Sequence, residues 1–177
     1  MAVPISRIPA VKAKLKTRFD TDAAIGVAGI PTLYGLNAIG QTDLGREFIL
    51  LGWTRDEDPT NGSGNFRGGW SSAALGRGRV VEERFVLECA IVRLEPGMNG
   101  QQACTERAFE IFQLVVANLV DWNDVVNPPC DALVRWAFIC RVAHEEGRPT
   151  EDFRTIVNFD IACSARLTGA AALPPPP

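Results

Sequence analysis

The sequence predicts an α+β domain, with a largely antiparallel sheet of four or five strands and two main helices packed on one face of it. Two patterns carry this prediction. Apolar residues recur at helical spacing in residues 8–19 and 99–120, and apolar and polar residues alternate along residues 79–94 and 153–167. The chain has 177 residues, 46% of them hydrophobic, which is enough for one domain with a substantial core.

Both predicted helices are amphipathic. In residues 8–19 the apolar stripe is Ile8, Val11, Leu15 and Phe19, with basic residues between them. Residues 99–120 form the stronger helix, for which Asn99 is a suitable N-cap. Its broad apolar stripe consists of Cys104, Ala108, Ile111, Phe112, Val115, Val116, Leu119 and Val120. Such a helix covers one face of a sheet.

The strand predictions follow from alternation and from compact apolar runs. Residues 33–35 are expected to form a short strand, and residues 47–54 a buried one. Residues 79–94 form a long strand with one buried side. In residues 132–142, the alternation places Val134, Trp136, Phe138 and Cys140 on one face and Arg135 and Arg141 on the other. A hydrophilic connection, residues 144–152, leads into the last strand, residues 153–167.

We expect a single domain over residues 1–168. Within it, residues 55–78 are predicted to form a long glycine-rich loop, because glycine and turn-forming residues crowd this stretch. It lacks the GK[ST] ending of a phosphate-binding loop, so nucleotide binding is not indicated. Residues 169–177 end in four prolines, which favour an extended tail without a core.

Composition restricts the functional classes. A net charge of −3 gives no electrostatic basis for sequence-reading nucleic-acid binding, although weak contact with passing DNA stays open. No apolar run is long enough to cross a bilayer, and the N-terminal segment has no apolar core of a secretory signal. We therefore expect folding in a cytoplasm.

Residues that could carry out chemistry are sparse. The five cysteines are an odd number without a CxxC pair, which favours free thiols in a reducing compartment. His144, the only histidine, is expected in an exposed loop, and it matches no familiar zinc spacing with the cysteines. Glu82 and Glu83 are adjacent on a strand and so point to opposite faces. We predict no catalytic residues, no cofactor and no metal: the chain is not expected to be an enzyme.

The polar side of residues 79–94 mixes charged and apolar residues, and two interpretations stay open for it. It is either an exposed sheet face with cross-strand ion pairs to Arg135, Asp160 or Arg166, or a subunit interface. Large aromatics in the glycine-rich segment favour the interface, because they need a surface to pack on. The candidate interface residues are Phe66, Arg67, Trp70, Arg77, Glu82, Arg84 and Glu88.

With these elements in order, the sequence resembles the tail terminator (tail completion) proteins of long-tailed siphophages, particularly those that infect actinobacteria. The segments that carry the resemblance are IPAVKAKLKTRF (8–19), FILLGWTRDED (48–58), EERFVLECAIVRLEPG (82–97), QQACTERAFEIFQLV (101–115) and TIVNFDIACSARL (155–167). No single motif is diagnostic, and their joint order over residues 1–168 makes the case. The long glycine-rich loop and the proline tail depart from the shorter members.

The resemblance implies a ring-forming structural subunit of the virion. Family members form a hexameric ring at the head-proximal end of the tail tube, stop tube polymerisation and provide the docking surface for the head connector. The implied partners are other copies of the chain, the major tail tube protein and the head–tail connector or stopper protein. Genomic DNA would pass through the lumen without sequence-specific binding, and no membrane is involved. The implied location is the virion, with assembly in the host cytoplasm.

Other functions remain open at this stage. The chain could be another neck component, such as a head–tail stopper, or the tail tube protein itself. A small-molecule-binding α+β module, with residues 55–78 as its lid, belongs to a different class.

Overall fold

A computed structural model describes most of the domain. The described residues are 6–34, 45–52, 66–73, 80–96, 100–124, 129–148 and 152–168. For residues 66–73, 80–81, 129, 132 and 166–168 this description covers the backbone alone.

The described residues form two helices and six strands. The helices are α1 (Ile8–Thr21) and α2 (Gln101–Asp124). The strands are β1 (Thr32–Tyr34), β2 (Glu47–Leu51), β3 (Phe66–Ala73), β4 (Val80–Pro96), β5 (Trp136–Gly147) and β6 (Asp152–Thr168). The α+β class and the two main helices are as the sequence predicts.

The sheet is built on the antiparallel pairing of β4 with β6. These two 17-residue strands pair along their whole length, from Val80 opposite Thr168 to Pro96 opposite Asp152. β5 pairs antiparallel with the other side of β6. The free side of β4 is shared, since β3 pairs with its first half and β2 with its second half. β1 adds to β2 in parallel, which makes the sheet mixed but largely antiparallel.

Both helices pack on the same face of this sheet, as the sequence predicts. The strand residues that face them include Phe85, Leu87, Cys89 and Ile91 from β4, and Val157, Phe159, Ile161 and Cys163 from β6. The helices contribute Val11, Leu15 and Phe19 from α1, and Ala108, Ile111, Val115, Leu119 and Trp122 from α2. We call this side of the sheet the helix face and the opposite side the outer face.

A buried carboxylate of β4 fixes the start of α1. Glu83 lies on the helix face with 1% of its surface exposed, and its Oε2 accepts a hydrogen bond from the backbone N–H of Arg7 at 2.7 Å. Arg7 is the N-cap residue of α1, where a negative charge stabilises the helix dipole. Glu82, the next residue, points to the outer face and accepts a hydrogen bond from Ser164. The prediction that Glu82 and Glu83 face opposite sides is confirmed.

A charged network ties α2 to the edge of the sheet. Arg107 of α2 donates two hydrogen bonds of 3.1 Å to the two carboxylate oxygens of Glu47 on β2. Arg93 of β4 donates to the same carboxylate at 3.0 Å and also contacts Glu95. The hydrogen bonds from Arg107 lower the pKa of Glu47 by more than burial raises it.

Two sequence-based predictions are wrong in detail. Part of the predicted 55–78 loop is β3, and this sixth strand exceeds the expected four or five. Its glycine- and serine-rich sequence has weak strand propensity, and it forms a strand because it pairs with β4. The remaining residues of that segment lie outside the described ones, as do Asn99 and the proline-rich tail.

The second error concerns β5, which continues to Gly147 through part of the predicted connection. His144 therefore lies on a strand, not in a loop, although its side chain is exposed. Its ring packs against Phe109 of α2 in an edge-to-face contact, with centroids 5.6 Å apart. The predicted common face holds for Trp136 and Phe138, but Val134 precedes the strand and is buried, and Cys140 lies at a register shift.

Replacing Glu47 with glutamine should lower stability at neutral pH and change its dependence on acid. The folded-state pKa of Glu47 lies below the unfolded value, so its contribution is present above the unfolded pKa and is lost as pH falls through the folded one. We expect a loss of about 1–3 kcal/mol at neutral pH, the scale of a charged hydrogen bond.

The measurement is urea unfolding over a pH series, with Glu106→Gln as the control. Glu106 lies on α2, and its carboxylate accepts an exposed hydrogen bond from Gln102. An equal loss for Glu47→Gln at neutral pH and at a pH where carboxyls are protonated would contradict this account of the network.

Candidate subunit interface

The outer face of the sheet carries no helix among the described residues, and it divides into two halves. At the β2 end, Phe48, Leu50, Ala90, Val92 and Ile156 form a small buried cluster of their own. Toward β5 the face becomes more open and mixes aromatic, charged and small residues. We call this half the open face. It consists of the outer-face residues of β5, of β4 from its start to Glu88, and of β6 from Asp160 onward.

An aromatic pair marks the β5 side of the open face. The rings of Trp136 and Phe138 lie 4.9 Å apart at a tilt of 32°. Phe138 is 50% exposed and lies at the β5 end of its cross-strand row, opposite Ala162 of β6. On β4, the other neighbour of β6, the residue opposite Ala162 is Val86, which is half-buried. Large rings beside small neighbours form a raised apolar surface, a common feature of the centre of protein interfaces.

Charged groups lie beside this aromatic pair. Ser164 of β6 donates a hydrogen bond of 2.7 Å to Glu82, and Arg84 donates one of 3.4 Å to the other oxygen of that carboxylate. These hydrogen bonds, that from Ser164 first, lower the pKa of Glu82. Arg84 is 68% exposed, so its guanidinium retains donors that can reach a neighbouring molecule.

The adjacent row places two acidic residues side by side. Glu88 of β4 lies directly opposite Asp160 of β6, and Arg141 of β5 lies opposite Asp160 on its other side. Like charges directly opposite each other destabilise a sheet, and a cation next to them reduces that cost. Of the ion-pair partners that the sequence suggested, Asp160 lies opposite the acidic Glu88, whereas the backbone of Arg166 lies opposite that of Glu82. The open face therefore has a defined pattern of charges around an aromatic centre.

β5 is the last strand of the sheet on this side. Among the described residues, its only strand partner is β6, so its outer edge offers backbone N–H and C=O groups to a further strand. The pairing with β6 shifts between Ile139 and Arg141, which makes Cys140 the bulged residue. Bulges occur often on edge strands, where they re-aim side chains. This bulge explains why Cys140 is exposed and why a simple alternation fails for β5.

The structure brings together three of the seven interface residues that the sequence indicates. Glu82, Arg84 and Glu88 all belong to the open face of β4. Phe66, Arg67 and Trp70 lie on β3, where their backbones pair with Leu87, Val86 and Glu83 respectively. Arg77 lies outside the described residues. The exposure of Phe138 was not predicted from the sequence, because a phenylalanine in an apolar run is expected in the core.

The cysteines are free, four of them buried and Cys140 exposed. Burial raises the pKa of Cys89 to about 12 and that of Cys130 to about 11, and it also raises the pKa of Cys163. Among the described residues, no group of three or more histidine, cysteine, aspartate or glutamate side chains is placed to hold a metal ion.

A comparison of the sequence with models of known protein families found no match, and a comparison with curated protein sequences found none. In the part of the chain that the structure describes, neither helix combines the length and hydrophobicity that crossing a membrane requires.

Cys140 should be the only thiol that reacts with a bulky thiol reagent in the folded, dilute protein. The other four side chains are buried, whereas the bulge exposes Cys140 on the outer part of β5. We expect one reactive group in native buffer at mildly alkaline pH and five in denaturant. The Cys140→Ser variant should lose the native reaction completely. Fast native labelling of that variant would show that one of the other four thiols is accessible, which would contradict their burial.

Proposed function

We propose that this protein is a structural, ring-forming subunit, the tail terminator of a long-tailed phage, and that it has no catalytic role. In this proposal it forms a hexameric ring at the head-proximal end of the tail tube, ends tube polymerisation and presents a surface to the head connector. The observation that carries the proposal is the open face, where the half-exposed Phe138 packs against Trp136 beside charged residues.

The layer arrangement supports a role in assembly. One face of the sheet is closed by α1 and α2 and holds the main core, and a smaller cluster is buried at the β2 end of the outer face. The open face is the part of the sheet that the described residues leave uncovered. A half-exposed phenylalanine stacked on a tryptophan loses apolar contact with water when a second surface covers it. Arg84 and the acidic side chains of Glu82, Glu88 and Asp160 can then select the partner by charge.

The resemblance in element order supports the specific assignment. Helix α1, the β2 strand, the charged β4 strand, helix α2 and the closing β6 strand occur in the order that suggested tail terminators. A ring also multiplies weak subunit contacts, so a cap on the tube can be stable without any single strong one. The other proposed partners are the tube protein below the ring and the connector above it.

A variant of the open face tests the proposed contact. Replacing Phe138 with serine removes the exposed ring, and it should weaken ring formation by about tenfold or more, the scale of an aromatic residue at the centre of an interface. Fold stability should change little, because half of the side chain is already in water. The measurement is electron microscopy and native mass spectrometry of the assembled product.

The matched control is Val120→Ser, which alters a 53% exposed apolar residue on helix α2, away from the open face. It should assemble like the wild type. If Phe138→Ser and Val120→Ser assembled equally well, the open face would not be the ring contact.

Removing the protein altogether tests the function itself. Particles assembled without it should have overlong tails, or tails of normal length that fail to join heads, because nothing stops the tube or provides the docking surface. Unchanged tail length and unchanged head joining in its absence would overturn the terminator assignment.

A further inference from the structure

The outer edge of β5 has a charge pattern that is complementary to itself. After the bulge, β5 runs regularly from Arg141 to Gly147 against β6. Arg141, Ala143 and Glu145 alternate along the outer face, opposite Asp160, Asn158 and Ile156 respectively. Asn158 donates a hydrogen bond of 3.3 Å to Glu145, which holds this carboxylate on the outer face.

Two copies of an edge strand can pair antiparallel about a twofold axis normal to the sheet. Such an axis keeps each side chain on its own face of the joined sheet. The axis must therefore pass between a residue and the copy of that same residue on the second strand. For Arg141–Gly147 this leaves few registers. An axis at Arg141 or at Glu145 places like charges opposite each other. An axis at Val142 or His144 leaves Arg141 and Glu145 opposite uncharged residues.

Among axes at residues 141–145, only the one at Ala143 pairs opposite charges. It places Arg141 of each copy opposite Glu145 of the other, which forms two cross-strand ion pairs on the outer face. On the helix face it places Val142, which is 45% exposed, opposite His144, whose ring rests on Phe109. At the centre, Ala143 meets Ala143 and is small enough for the two strands to approach closely.

We propose that the free protein forms a twofold dimer through antiparallel pairing of β5 with the β5 of a second copy, centred on Ala143. The pairing joins the two sheets and satisfies the open backbone groups of both edges, which would otherwise favour aggregation. A twofold contact of this kind is not part of a head-to-tail ring, so the dimer is a state of the subunit before assembly. The dimer does not depend on the proposed function, because its evidence lies in β5 alone.

Charge reversal and its rescue provide the first test. Arg141→Glu alone, and Glu145→Arg alone, should raise the dissociation constant of the dimer about tenfold or more, because each places like charges opposite each other twice. The double variant Arg141→Glu with Glu145→Arg should restore dimerisation. Analytical ultracentrifugation measures the association, and circular dichroism confirms that each variant is folded.

A cross-link tests the register directly, in a Cys140→Ser background so that the exposed native thiol does not interfere. With Ala143→Cys, the two new thiols lie opposite each other at a Cα separation of about 4.5–5.5 Å, and mild oxidation should link them. Glu146→Cys is the control, because in this register the two copies of residue 146 lie about 20 Å apart.

The proposal is supported by a dimer that cross-links at position 143 and not at 146, and whose ion pairs can be swapped. It is overturned by a protein that is monomeric at every concentration, or by an oligomer that does not cross-link at position 143. A hexameric ring without the 143 cross-link would thus remove the dimer and leave the proposed function intact.

Discussion

The rest of the structure depends on the pairing of β4 with β6. Two 17-residue strands, separated in sequence by α2 and β5, align from Val80 opposite Thr168 to Pro96 opposite Asp152. Because side chains alternate along both strands, this single register determines which residues form the core and which form the outer face. A slip by one residue would turn one strand over, which would move Phe85 out of the core and Glu82 into it, or Phe159 out and Asp160 in.

The register also explains how the domain can remain folded with one face open. On the helix face, α1 and α2 bury the apolar side chains of β4 and β6, and specific contacts hold each helix in place. Glu83 caps α1, Arg107 joins α2 to Glu47, and Arg18 of α1 donates hydrogen bonds to Asn118 of α2. With its stability provided on that side, the open face can retain exposed aromatic and charged residues. Residues 141–147 of β5, which follow the bulge, then have a separate role as the edge strand of the sheet.

The parts of the fold that the sequence predicts best are those with strong local patterns. The apolar stripe of α2 and the alternation of β4 and β6 identify these elements and their buried faces. β3 could not be recognised, because the sequence FRGGWSSA has weak strand propensity and becomes a strand only beside β4. The face of β5 was misassigned because the bulge at Cys140 interrupts the alternation, and because an edge strand is only partly covered by the core.

The residues of the candidate interface also divide into those that the sequence predicts and those that it does not. Glu82, Arg84 and Glu88 follow from the alternation of β4 and are found together on the open face. Phe138 could not be found this way, since a phenylalanine in an apolar run is expected in the core. The exposed ring became evident only from the position of β5 at the edge, where no helix covers the outer face in the described part of the chain.

The central claim is that one face of the sheet is closed by helices and that the open face, on the other side, is left for a partner molecule. Hydroxyl-radical footprinting tests it most directly, by comparing side-chain accessibility in dilute subunit and in the assembled tail. The account predicts that Trp136 and Phe138 become protected on assembly, whereas Lys16 and Glu106, which lie on α1 and α2, change little. Equal accessibility of Trp136 and Phe138 in both states would contradict it.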